Sequence, residues 1–157
     1  MATTISPFTW YSKATKNLSL GTILTDDIKL ALVTSTYSAD FTNHEFFDVD
    51  ITNELPTLNG YTAGGFSLTG KTLPIGVSTG EWHFLSDNPY WTAATGQIVA
   101  RAFVLYNNTP ATNKPLIGYG FLDFNNGSPQ DVTTQPTFNL TVLVPATGWF
   151  YTQKVNG

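Results

Sequence analysis

The sequence predicts one all-β domain, an antiparallel β-sandwich of jelly-roll-like type with a short N-terminal arm or helix. Three observations predict it: short apolar runs rich in β-branched and aromatic residues, turn clusters of Asn, Asp, Gly and Pro between them, and almost no helical periodicity. Strands that follow one another without helices between them pair antiparallel, because a parallel pair needs a long crossover. At 157 residues the chain can bury a core without a metal or a disulfide. Residues 1 to 22 form the expected arm and residues 23 to 157 the sandwich, as a single domain.

In chain order, WYSKATKNL (10 to 18) is the one helix-compatible stretch, and it is short. DIKLALVTS (27 to 35) is the first clear strand, apolar and ending in β-branched residues. EWHFLS (81 to 86) is a shorter candidate, and QIVARAFVLY (97 to 106) and PLIGYGFLDF (115 to 124) are longer ones. TFNLTVLV (137 to 144) alternates Phe138, Leu140, Val142 and Val144 with other residues, and GWFYTQ (148 to 153) is the last short run. SDNP, NNTPATNKP and NNGSPQD separate these runs as turns. No internal repeat appears.

Charged residues are 11% of the chain, less than half the roughly 25% usual for soluble proteins, so Thr, Ser, Asn and Gly must solvate the surface. Such a surface suits a protein packed against copies of itself or against a large partner. With a formal net charge of −4 and no run of Lys or Arg, the chain lacks the counterion-releasing cations that nucleic-acid binding needs. The absence of cysteine removes disulfides, thiol nucleophiles and Cys-based zinc sites. No stretch approaches the ~20 apolar residues of a membrane span. MATTISPFTWYSK has neither the basic nor the apolar region of a secretory signal, so synthesis and folding are expected in a cytoplasm.

GFSLTGKT (65 to 72) matches the spacing of a phosphate-binding loop, which works by bending a buried strand into a helix whose N-terminus faces the phosphates. Here Phe66 and Leu68 alternate as in a strand, and Pro74, Gly76 and Gly80 follow where that helix would run. A glycine-kinked strand leading to a turn is expected instead. HEFFDVD (44 to 50) groups His44, Glu45, Asp48 and Asp50, but the spacing fits no calcium loop; a turn with phenylalanines in the core and carboxylates in water is expected. Asp26 and Asp27 are assigned to a turn or strand edge. His44 and His83 have no nucleophile-elbow motif to serve. No catalytic, cofactor or metal site, and no enzymatic activity, is expected.

Aromatic residues carry the remaining signal. Phe8, Trp10 and Tyr11 follow a Thr-rich, Pro-containing lead, and Trp149, Phe150 and Tyr151 crowd the C-terminus. These six are the candidate partner-binding residues, the first three on an arm that lies across a neighbour. Core packing competes for each of them, as it does for Trp82, Tyr90 and Trp91. Stacking on sugar rings is a third use for such side chains.

LTDDIKLALVTSTY (24 to 37), HEFFDVD (44 to 50), NE (53 to 54), GYTAGG (60 to 65) and LTGKT (68 to 72) together resemble a family of small virion proteins of tailed bacteriophages. Trp91, ARAFVLY (100 to 106) and PLIGYGFLDF (115 to 124) fit the same pattern. The resemblance spans roughly residues 15 to 125; the first 12 residues and TGWFYTQKVNG (147 to 157) lie outside it. It implies a capsid decoration or cement protein on the outer surface of the head, assembled in the host cytoplasm. The implied partner is the major capsid protein, and the implied state is a homotrimer. It carries no catalytic residues, and it implies unusual backbone angles at Gly64 and Gly65. A tail or fibre component and a carbohydrate-binding β-sandwich module remain open alternatives, and weak glycan binding is compatible with the decoration role.

Overall fold

The computed structural model describes residues 1–76, 80–125 and 128–152. Its strands are β1 (Ala2–Thr4), β2 (Thr9–Trp10), β3 (Ile28–Val33), β4 (Phe66–Ser67), β5 (Trp82–Phe84), β6 (Tyr90–Thr92), β7 (Val99–Ala100), β8 (Ala102–Asn107), β9 (Leu116–Phe121), β10 (Phe124–Asn125), β11 (Ser128–Pro129), β12 (Val132–Thr133), β13 (Asn139–Leu143) and β14 (Phe150–Thr152). Two one-turn helices, α1 (Ala14–Asn17) and α2 (Phe47–Asp50), complete the described elements. The protein is mostly β, and among the described residues its several sheets form no closed barrel. Among the described residues no helix is long and apolar enough to cross a membrane.

A five-stranded antiparallel sheet in the order β2-β9-β8-β3-β4 forms the centre. Its long strands are buried on both faces, which is why β3 reads as a continuous apolar run rather than an alternation. Leu30 and Leu32 stand opposite Leu105 and Phe103, and these side chains enter one core cluster with Leu140 and Val142 of β13. Ala31, Val33, Ala102 and Val104 point the other way, into a second cluster with Tyr11, Tyr37, Phe47 and Tyr106. Each fully buried Leu, Ile or Phe there contributes about 1.5–3 kcal/mol. Phe47 stacks flat on Tyr106 at 3.8 Å, so HEFFDVD anchors its core ring from a helical turn rather than from an open one.

Within the arm expected over residues 1 to 22, Ala2–Thr4 and Thr9–Trp10 pair into two sheets. β1 runs parallel to β13 in a three-stranded sheet ordered β1-β13-β6, and among the described residues the other ladders are antiparallel. The Ser6 N–H then donates to the Phe121 carbonyl, and β2 pairs with the edge of β9. The first ten residues thus join two sheets, because their apolar side chains find cover within the chain. Gly118 permits this: a Cβ there would run into the ring of Phe8. The glycines of PLIGYGF therefore admit a crossing segment rather than weaken the strand.

Other expectations shift at their ends. The helix expected over 10 to 18 contracts to 14–17, since Trp10 is already in a strand and Leu18 is extended. Phe138, expected on the inward row with Leu140, is 60% exposed because the ladder of β13 begins only at Asn139. Parts of IGVSTG, NNGSPQD and GWFYTQ fall at 77–79, 126–127 and 153, outside the described residues.

A candidate binding groove between the chain ends

The turn before β14 builds one wall of the site. The Gly148 N–H donates to the Pro145 carbonyl at 2.7 Å with Gly148 at φ +83, where the left-handed backbone favours glycine. The Trp149 N–H then donates to the Phe84 carbonyl at 2.8 Å, and the indole N–H of Trp149 reaches Ser86 Oγ at 2.9 Å. This pairing sets β14 on β5, with Phe150 opposite Phe84 and Tyr151 opposite His83. His83 Nδ1 donates to the Thr147 carbonyl at 2.7 Å, its Nε2 lies 2.6 Å from Glu81 Oε1, and its ring stacks on Tyr151.

The N-terminal segment builds the facing wall. Phe8 meets Trp10 edge-on at 5.3 Å, and Trp10 lies 4.5 Å from Phe150. Both Phe8 and Trp10 are half-buried, while Tyr151 is 50% exposed. Where these two segments meet lies a groove of about 670 Å³, within the usual range for ligand sites. It is lined by Phe8, Trp10, Phe150 and Tyr151 together with Pro7 and Pro145, and among the described residues no charged side chain contributes to it.

Of the six predicted contact residues, five line this groove, but not all as exposed rings. Trp149 is 2% and Phe150 4% exposed, so both serve as floor and core rather than as free contact surface. Tyr11 departs entirely. It is buried on the opposite face of the central sheet, where its hydroxyl lies 2.7 Å from that of Tyr37, which lies 3.0 Å from His44 Nδ1. Burial raises the Tyr11 pKa far above its ordinary value. Pro145, Thr147, Ile5, Ser6 and Pro7 were not predicted; the prolines flanking each aromatic group were the available signal.

The other weighed residues hold the scaffold. Phe66 and Ser67 of GFSLTGKT form β4, Lys71 Nζ donates to the Asp26 carbonyl, and Thr72 bridges Leu85, so extended chain stands where a phosphate-loop helix would be. Asp48 accepts from the Asn113 and Lys114 N–H groups, and Asp50 from those of Glu45 and Phe46. Glu45 meets Asn17, Lys16 and Lys13, which hold its pKa down to about 2. Asp26 accepts from Thr22 and Asn107 side chains, and Asp27 from Asn108. Among the described residues no three His, Asp or Glu side chains are grouped to hold a metal ion.

One carboxylate was missed. Glu54 Oε1 accepts from the Tyr61 hydroxyl at 2.6 Å and from the Gly64 N–H at 2.5 Å, while the Tyr106 hydroxyl donates to the Gly64 carbonyl at 2.6 Å. Burial raises the Glu54 pKa from its ordinary value. The GYTAGG turn is therefore clamped from both sides, with positive φ at Gly60, Gly64 and Gly65. No family model, no curated protein and no solved structure matches this chain.

Proposed function

We propose that this chain is a structural protein of a tailed-bacteriophage particle, a decoration protein that binds the major capsid protein on the outer surface of the head as a homotrimer. One observation carries the proposal: the groove is built almost wholly from segments outside the phage-like resemblance. Ile5 to Phe8, Trp10, Pro145 and Thr147 to Tyr151 line it, whereas the phage-like runs fall on β3, β8, β9, α2 and the clamped GYTAGG turn. A shared scaffold with its own uncharged groove suits a protein that recognises one particular capsid surface. Binding alone supplies the function: many weakly charged contacts repeated by symmetry add to a large total. We read the architecture accordingly as a jelly-roll-like sandwich, a reading supported by the core that the central sheet shares with Leu140 and Val142 of β13.

Particles carrying this chain and particles from a strain lacking its gene are heated, and genome release is followed. The expected result is release at a lower temperature without the chain, restored by adding the purified protein. Equal release temperatures, with no protein retained on the heads, would contradict the proposal.

A further inference from the structure

We infer that His83 is a proton-operated latch: it holds the turn before β14 closed while its ring carries two protons, and releases that turn when the second proton leaves. The inference rests on the geometry around one ring and needs no particular occupant of the groove.

A neutral imidazole carries a single N–H and can donate from only one of its nitrogens. His83 faces an oxygen acceptor at both. The Thr147 carbonyl lies 2.7 Å from Nδ1, and Glu81 Oε1 lies 2.6 Å from Nε2. Neither a carbonyl nor an ionised carboxylate has a proton to offer. Both contacts are therefore hydrogen bonds only when the His83–Glu81 pair holds one proton more than a neutral ring beside an ionised carboxylate. The side chains of His83 and Glu81 are 15% and 12% exposed, which leaves little room for water to replace that proton. Their seat is tight as well. A Cβ at Gly76 would run into the His83 ring and the Glu81 side chain, while the His83 N–H donates to the Pro74 carbonyl and the Gly76 N–H to the Glu81 carbonyl.

When the second proton leaves, two acceptors compete for one N–H. The charge-assisted bond to Glu81 is the stronger, so the remaining proton stays on Nε2 and Nδ1 turns a lone pair toward the Thr147 carbonyl. That contact becomes a repulsion. Thr147 belongs to the turn that starts β14, whose Trp149 reaches Phe84 through its backbone N–H and Ser86 through its indole, so release at Thr147 loosens one wall of the groove. The stabilisation is full at low pH and is lost as pH rises and the proton departs. Among the described residues, the titratable side chains facing the ring are Glu81 on its own strand and Tyr151, stacked on it from β14; in sequence neither 72–76 nor 145–149 carries a titratable residue.

The test follows the His83 ring nitrogens and the Trp149 indole N–H by NMR on the full chain, from about pH 5 to pH 9, in the parent and in Glu81→Gln. The amide of that variant can donate to Nε2, so a neutral ring with its N–H on Nδ1 satisfies both neighbours. The parent is expected to keep both ring N–H groups to higher pH than the variant and then to lose the one on Nδ1, with the Trp149 indole signal shifting in the same step. The variant should keep its Nδ1–H and an unshifted indole signal throughout. Loss of the second ring proton at the same pH in both proteins would overturn the inference. So would a parent ring that retains Nδ1–H at high pH, or an indole signal that does not follow the ring. These last two outcomes are read on the parent alone and decide the matter even if the variant does not fold.

Discussion

Glu54 links the GYTAGG turn to the core, and its chemistry can be tested at a single atom. Because burial raises its folded pKa, its stabilising contribution is fully present below its unfolded value of about 4.3 and is lost as pH rises through the folded value. A single amide oxygen can accept from both Tyr61 and Gly64, since both now donate to Oε1. Glu54→Gln should therefore gain thermal stability relative to the parent between pH 4 and pH 7. Glu54→Ala should lose about 1–3 kcal/mol by leaving the buried Tyr61 hydroxyl, which accepts from the Leu32 N–H, without an acceptor for its own proton. A Gln variant whose melting temperature falls relative to the parent with rising pH would contradict this. The neighbouring glycines divide in the same way. A Cβ at Gly65 would strike the backbone of Leu30, whereas at Gly64 the nearest atom is 3.7 Å away. Gly65→Ala should cost about 2–4 kcal/mol in denaturant unfolding, and Gly64→Ala only the left-handed backbone penalty of about 1–2 kcal/mol. Equal costs would sink the distinction.

At the scale of elements, the N-terminal segment is the sharpest departure from expectation. Its strands, its Ser6 contact and the buried Tyr11 make it part of both sheets. Deleting residues 1 to 12 should cost more than about 4 kcal/mol and expose apolar surface to a hydrophobic dye. A deletion protein that melts at the parent temperature would restore the free arm. The long strands were legible because burial on both faces leaves a continuous apolar run, as in IKLALV and AFVLYN. The two- and three-residue strands were not legible, because pairing partners far along the chain define them and no local period does. Residues 2–4 look like a polar lead until β13 is set beside them. The aromatic groups at the two chain ends were legible as a signal, and their meeting in one groove was not. Which of them face inward depends on the Gly148 turn and on Gly118, neither of which marks its neighbour in sequence.

Across the whole molecule, scarce charge is spent on structure. The carboxylates of Asp48, Asp50 and Glu54 are engaged by backbone N–H groups, and Lys13 and Lys16 by Glu45, while among the described residues the groove is lined by no charged side chain. This economy suits a protein whose surface meets a large, fixed partner in many copies, where weak contacts multiply and long-range steering matters little. The most direct measurement is the copy number of this chain relative to the major capsid protein, determined by mass spectrometry on intact particles purified from a lysate that makes it. The decoration role predicts a ratio of about one, as expected for trimers at every local threefold position. A handful of copies per particle would place the chain in the tail or connector, and its absence from particles would contradict the virion role altogether.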